Sequence, residues 1–147
     1  MKITYIGIAN DHSGYHLKIE LIKFLKSQCR YNRVFNFGTD TKEAVDYPDY
    51  AHYVTNAIEN KKIDFGILIC SSGIGMSICA NKNKYVRAAL CNNIKFAKLA
   101  REHNNANALV LAAKYISFRQ AKNILEIFLC SKFQFGRHLV RVKKISL

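Results

Sequence analysis

The stretch FGILICSSGIGMSICANK, residues 65–82, decides the fold. Phe65, Ile67, Leu68 and Ile69 form an apolar run of buried-strand length, and the run stops at Cys70. Ser71-Ser72-Gly73-Ile74-Gly75 is a small, polar, flexible loop, and Met76-Ser77-Ile78-Cys79-Ala80 restarts as a helix. A strand that empties through a Gly-rich loop into a helix gathers backbone N–H groups around an anion, here with a thiol at the rim. An ordinary tight turn has the same outline. The surrounding chain has to separate the two.

Upstream, residues 2–9 alternate and end apolar, which predicts a first strand with Asn10-Asp11-His12-Ser13-Gly14 as the loop after it. Leu17, Leu21, Phe24 and Leu25, with Lys18, Lys23 and Lys26 between them, predict an amphipathic helix. Residues 33–37, closed by Gly38, predict a second strand. Asp46-Tyr47-Pro48 opens a helix whose first turn suits proline, with Tyr50, Ala51, Val54, Ala57 and Ile58 as its apolar face. Downstream, residues 86–91 and 108–112 predict two more strands, followed by helices over 96–103 and 117–130; the second turns Ala121, Ile124, Leu125 and Phe128 inward. From Ser131 the chain reads as a polar, basic tail.

Alternating strands and helices predict an α/β fold: a three-layer, Rossmann-like α/β/α arrangement around a five-stranded parallel sheet. No linker, repeat or low-complexity segment divides the chain. The expectation is one domain over residues 1–147, with 131–147 as a basic C-terminal arm. Ligands of such sheets bind at the carboxyl ends of the strands. Asp11-His12 and the loop from Cys70 to Gly75 should therefore share one rim.

A chain of 147 residues is long enough to bury a substantial core. Asn10, Asp11 and His12 interrupt the apolar run after Ile8, so the start does not read as a signal peptide. No stretch approaches the roughly 18 apolar residues of a membrane span. A soluble, cytoplasmic protein without a membrane partner is the expectation. The five cysteines (29, 70, 79, 91 and 130) are odd in number and form no CxxC pair, which gives a metal site or redox motif little support. The four other than Cys70 are expected to be small core residues. Net charge is +13, and eight Lys/Arg stand against Glu126 alone between Lys114 and Leu147. A basic end of that kind serves a polyanion or one small phosphate.

The Gly-rich loop is not a Walker A, since no Gly-Lys-Ser/Thr follows. It is a poor dinucleotide fingerprint as well, because Ile78 stands where the third glycine belongs. A phosphate or oxyanion cradle around Gly73 and Gly75 remains, against a structural turn. Cys70 is the candidate acid/base: placement before a helix N-terminus is expected to lower its pKa, while the alternative is an inert strand-end cysteine. Asp11-His12 could move a proton or bind an anion, or merely cap the loop. His103-Asn104 lies where a helix ends, which also suits a polar C-cap. Arg137 and Arg141 are four apart, so a helical tail would set both guanidiniums on one face, toward a phosphate or toward solvent. Tyr47 could contact a sugar or simply pack.

With these residues assembled, the chain resembles the ribose-5-phosphate isomerase B family, which includes the galactose-6-phosphate isomerase subunits. The likeness runs nearly end to end. It rests on Asp11-His12-x-Gly14, Gly38-Thr39, Asp46-Tyr47-Pro48, the run from Gly66 to Gly75, Ala80-Asn81-Lys82, His103-Asn104 and Gly136-Arg137-His138-x-x-Arg141-Val142. The resemblance implies interconversion of ribose 5-phosphate and ribulose 5-phosphate in the non-oxidative pentose phosphate pathway, through an enediolate and without metal or cofactor. It implies Cys70 as the base in the thiol branch of the family, since the other branch has a Glu where this chain has Met76. It implies Ser72 beside the base, His103 with Asp11 in ring opening, and loop N–H groups of residues 71–75 on the enediolate oxygen. His12, Lys114, Arg137 and Arg141 match phosphate contacts; Tyr47 and Asn104 line the sugar. It further implies a dimer or tetramer of identical chains with sites built from both subunits, the basic arm completing a partner's phosphate site.

Three positions depart from the family pattern. Ser71 replaces a usual Gly, which would cost on the order of 1 kcal/mol at a positive φ and could narrow the oxyanion pocket. Lys114 replaces an Arg and keeps charge without the bidentate fork. Asn10 replaces a frequent Cys. Two other functions stay open: a hexose-6-phosphate (allose or galactose 6-phosphate) isomerase, and a basic nucleic-acid-binding domain. The latter would need aromatics interleaved with a continuous Lys/Arg stripe, and no such motif is present.

Overall fold

The structure is a computed structural model that describes residues 4–29, 31 and 33–146. Along the chain lie β1 (Tyr5–Asn10), a 3-10 turn (His12–Gly14), α1 (Tyr15–Ser27), β2 (Arg33–Asn36), α2 (Tyr47–Glu59), β3 (Phe65–Cys70), α3 (Ile74–Ala80), β4 (Ala88–Leu90), α4 (Ile94–Asn104), β5 (Ala108–Ala112), α5 (Phe118–Cys130) and α6 (Arg137–Lys144). The five strands pair in parallel in the order β2-β1-β3-β5-β4.

The period of two along each strand builds the layers. Ile67 and Ile69 face α1, α4 and α5 together with Ile6, Ile8, Leu109 and Leu111. Leu68 and Cys70 face the opposite way, with Ala108 and Val110, toward α2 and α3. Both faces of β3 are thus buried, which is why it reads as an unbroken apolar run. The result is the three-layer α/β/α, Rossmann-like fold with a five-stranded parallel sheet. Chain order reverses between β1 and β3, so the crevice at their carboxyl ends is the topological switch point, where ligands of such sheets bind.

Several boundaries differ from the sequence reading. The first strand is described from Tyr5, and Lys2 and Ile3 lie outside the described residues. β4 is shorter than 86–91 because two asparagine side chains take over its entry. Asn107 Oδ1 accepts from Arg87 N at 2.8 Å, and Asn81 Oδ1 accepts from Ala88 N at 2.9 Å. α4 begins at Ile94, two residues earlier than predicted, since Asn93 caps it through Phe96 N at 2.9 Å. Ser117 caps α5 from outside, in a capping box with Gln120. The tail is not featureless: α6 forms within it.

Two corrections concern burial. Of the four cysteines expected in the core, only Cys91 is buried; Cys79 is half-buried, and Cys29 and Cys130 are exposed, both past or at a helix end. Lys18, read as a polar-face residue of α1, is instead 1 % exposed. No described helix is long and apolar enough to cross a membrane.

Candidate active site

The loops after β1 and β3 meet at the switch point. Asp11 N donates to the Ile69 carbonyl at 3.2 Å, so the first residue past β1 sits beside Cys70. On the other flank Ala113 N donates to the Cys70 carbonyl at 2.9 Å, and Lys114 N to the Ser71 carbonyl at 3.1 Å. Asp11, His12, Cys70, Ser71, Ser72, Gly73, Gly75 and Lys114 thereby share the carboxyl edge. Tyr47, the first residue of α2, joins them: a Cβ on Gly75 would lie 2.5 Å from its ring. Only glycine lets that ring close over the loop.

Cys70 is 5 % exposed at the end of β3, and the turn after it wraps backbone around the sulfur. Gly73 makes this possible, with φ +76, a left-handed conformation that side chains resist. Burial pushes the Cys70 thiol up. The N–H groups of Met76 and Gly73 pull it down, the Asp11 charge pushes it up again, and Ser72 N–H pulls down. The net direction is upward, which corrects the expected lowering: desolvation at a covered strand end outweighs the amides. Ser71 is not among the positive-φ residues, so the serine at the usual glycine position carries no left-handed strain.

Asp11 Oδ1 accepts from Ser13 N at 2.9 Å and Gly14 N at 3.3 Å, so this carboxylate does cap its loop. His12 Nδ1 accepts from Val45 N at 3.2 Å. Ser72 Oγ accepts from Ile74 N at 3.2 Å, which leaves its hydroxyl proton free to point elsewhere. Met76 is wholly buried in the layer between the sheet and α2, packed in the same cluster as Cys70.

His103, Asn104, Arg137 and Arg141 are not at this edge. α4 runs from the carboxyl end of β4 to the amino end of β5, so its last residues lie at the amino edge of the sheet. There Asn107 O accepts from Gly66 N at 2.9 Å, near the start of β3. β3 has six residues and rises roughly 17 Å from that end to Cys70. The arm folds back on the same edge: Gln134 N donates to the Glu102 carbonyl at 3.0 Å, and the His103 and His138 rings stack 4.2 Å apart. Partial burial, then the charges of His103, Arg137 and Arg141, hold His138 below its ordinary value. Arg141 Nη1 donates to the Arg137 carbonyl at 2.6 Å across one helical turn, which puts both arginines on one exposed face. Within one chain, then, Asp11 and His103 are far apart.

The sequence reading missed the residue that shapes this amino edge. Arg101, 8 % exposed, donates through Nη1 to Asn105 Oδ1 at 3.1 Å and the Ala106 carbonyl at 2.6 Å. Its guanidinium lies 4.8 Å from the centre of the Phe65 ring. It fixes the left-handed Asn105 turn directly after His103-Asn104. Its place on one stripe with Ala97 and Ala100 was a signal, but a basic residue on α4 passes easily for a solvated one. Asn81 was named only within a motif; its amide also donates to the Ser77 and Ala88 carbonyls and stitches α3 to β4.

Residues 6–145 match the family described as Ribose/Galactose Isomerase. The chain belongs to that family. A Rickettsia typhi protein, provisionally named a sugar phosphate isomerase, is 47% identical over 99% of this chain and 100% of its own length. Ribose-5-phosphate isomerase B of Escherichia coli is 38% identical over 96% of this chain and 93% of its own. The crystal structure of a ribose 5-phosphate isomerase from Thermotoga maritima superposes with a TM-score of 0.94 at 44% identity, covering 97% of each chain. As a member of this family the protein is an isomerase, of the aldose–ketose type.

Proposed function

We propose that the protein is a ribose-5-phosphate isomerase of the non-oxidative pentose phosphate pathway, with Cys70 as the carbon acid's base. The observation that carries this reading is the buried thiol at the β1/β3 switch point, ringed by the N–H groups of Ser72, Gly73 and Met76 and adjoining Asp11. In the forward direction the Cys70 thiolate takes the C2 proton of the open aldehyde, and charge moves onto O1. The loop amides of residues 71–75 hold that charge, the interaction with most leverage on such a barrier. The O2 proton passes to O1, for which the Ser72 hydroxyl stands beside the base. Cys70 then returns its proton to C1 and the ketone forms at O2. Atoms and charge balance without a co-reactant.

Ring opening falls to His103 with Asp11, and phosphate binding to His12, Lys114, Arg137 and Arg141; Tyr47 and Asn104 line the sugar. Since Asp11 and His103 occupy opposite edges of one chain, this reading requires a homodimer, or a tetramer of such dimers, in which the basic arm of one domain completes its partner's site. A coupled assay with ribose 5-phosphate, allose 6-phosphate and galactose 6-phosphate tests the reading. Ribose 5-phosphate should have the highest kcat/KM by at least about tenfold. Preference for either hexose phosphate would reassign the substrate, and salt-dependent RNA or DNA binding with no turnover would replace the function.

A further inference from the structure

The carboxyl edge holds one buried charge that the isomerase chemistry does not use. Lys18 is 1 % exposed, and its stem continues the stripe of Leu21 and Leu25 on α1. A buried ammonium persists only where acceptors meet it. Its Nζ donates to the Thr39 carbonyl at 2.8 Å and to Asp40 Oδ1 at 2.5 Å, and Asn36 Nδ2 reaches the same oxygen at 2.8 Å. Asn10, wholly buried at the end of β1, donates to that Thr39 carbonyl at 3.2 Å and to the Asp11 carbonyl at 2.8 Å. The loop after β2 is thus bolted at Thr39–Asp40 to the strand end that carries Asp11 and His12.

Beyond this anchor the loop runs exposed from Asp40 to Ala44, and at Val45 it returns to the site. Val45 N–H donates to His12 Nδ1 at 3.2 Å. That bond needs the Nδ1 lone pair, so a neutral His12 carries its proton on Nε2. A proton on Nδ1 would set N–H against N–H. Two residues later the same loop delivers Tyr47 onto Gly75.

We propose that Lys18 is a positioning residue: by clamping Thr39 and Asp40 it holds the loop whose Val45 amide fixes His12 as the Nε2–H tautomer, the form that donates to the substrate phosphate. The inference rests on the assignment of His12 to the phosphate. Lys18 itself touches no substrate and acts through the loop.

The test is ¹⁵N-histidine NMR of the ligand-free protein, with His12 assigned by His12→Gln, beside steady-state kinetics on ribose 5-phosphate. Wild type should show an unprotonated Nδ1 and a protonated Nε2. Lys18→Met keeps the buried stem and removes the ammonium. His12 should then become a tautomer mixture, and KM should rise about tenfold with kcat within about twofold. Asp40→Ala weakens the same clamp from an exposed position, and should raise KM about threefold with a partial tautomer shift. Wild-type His12 signals and KM in folded Lys18→Met would overturn the proposal. If that variant does not fold, unchanged signals and KM in Asp40→Ala would do so. Mixed tautomers in a wild type that turns over ribose 5-phosphate defeat the positioning role alone; no turnover defeats the isomerase assignment, with the tautomer still measurable.

Discussion

The two edges of the sheet have opposite chemical characters. The carboxyl edge holds a thiol raised by burial, turns of backbone N–H groups, an acid at Asp11, and His12 and Lys114 beside it. The amino edge collects His103, His138, Arg137 and Arg141, where desolvation and then the charges of the other three disfavour protonation of His138. In the proposed chemistry the first edge moves the proton and the second supplies cations for the phosphate. Parallel β/α topology cannot bring them together in one chain, because α4 and the arm after α5 both deliver their residues to the amino ends. The separation is what makes a second copy of the chain part of the proposed chemistry.

Breaking the carboxyl edge should have the largest effect. Cys70→Ala should lower kcat by about 10³-fold, with KM for ribose 5-phosphate within about threefold of wild type. Turnover at the wild-type rate would remove Cys70 as the base. Breaking the amino edge should look different: Arg137→Ala should raise KM about tenfold and change kcat little, and an unchanged KM would take it out of the phosphate site.

The raised thiol sets the pH behaviour of the carboxyl edge. The reactive form is the thiolate, so kcat/KM should climb with pH and keep climbing past the ordinary thiol value of about 8.5. Asp11→Asn removes a charge that holds the thiol up, and the alkylation profile of Cys70, followed by peptide mass spectrometry, should move to lower pH. A profile that stays put or moves higher would contradict that cause.

The smallest effect concerns the clamp beside the site. Hydrogen bonds from Lys18 and then Asn36 hold Asp40 below the usual carboxylate range. A depressed acid contributes stability above its unfolded value, and that contribution is lost as pH falls through the folded value. With the Asp40 side chain 74% exposed, screening limits the loss to about 0.5 kcal/mol. Thermal unfolding of wild type and Asp40→Ala should converge slightly below about pH 4 and differ above it. A constant difference across that range would contradict it.

The strand-loop-helix run of residues 65–82 was legible because β3 is buried on both faces and its glycines mark a turn that only they permit. The five strands and the parallel order of layers followed from the same logic. Less legible were features set by tertiary partners. Lys18 reads as solvated until Thr39 and Asp40 fold over it. The direction of the Cys70 shift depends on how deeply the β3 end is covered, which periodicity does not report. Arg101 was missed and the cysteines at helix ends were misread for the same reason: composition states what a side chain can do, while its neighbours decide how deeply it is buried.

Complementation between two impaired variants, assayed with ribose 5-phosphate well below KM, tests the central claim most directly. Cys70→Ala and Arg141→Ala chains, each purified and then unfolded and refolded together, should form mixed dimers in which one of the two sites is intact. Random pairing predicts recovery of about one quarter of wild-type kcat/KM, against about one tenth for Arg141→Ala alone. Activity that never exceeds the refolded Arg141→Ala protein alone would mean that each chain holds a whole site, and the division between the two edges would lose its meaning.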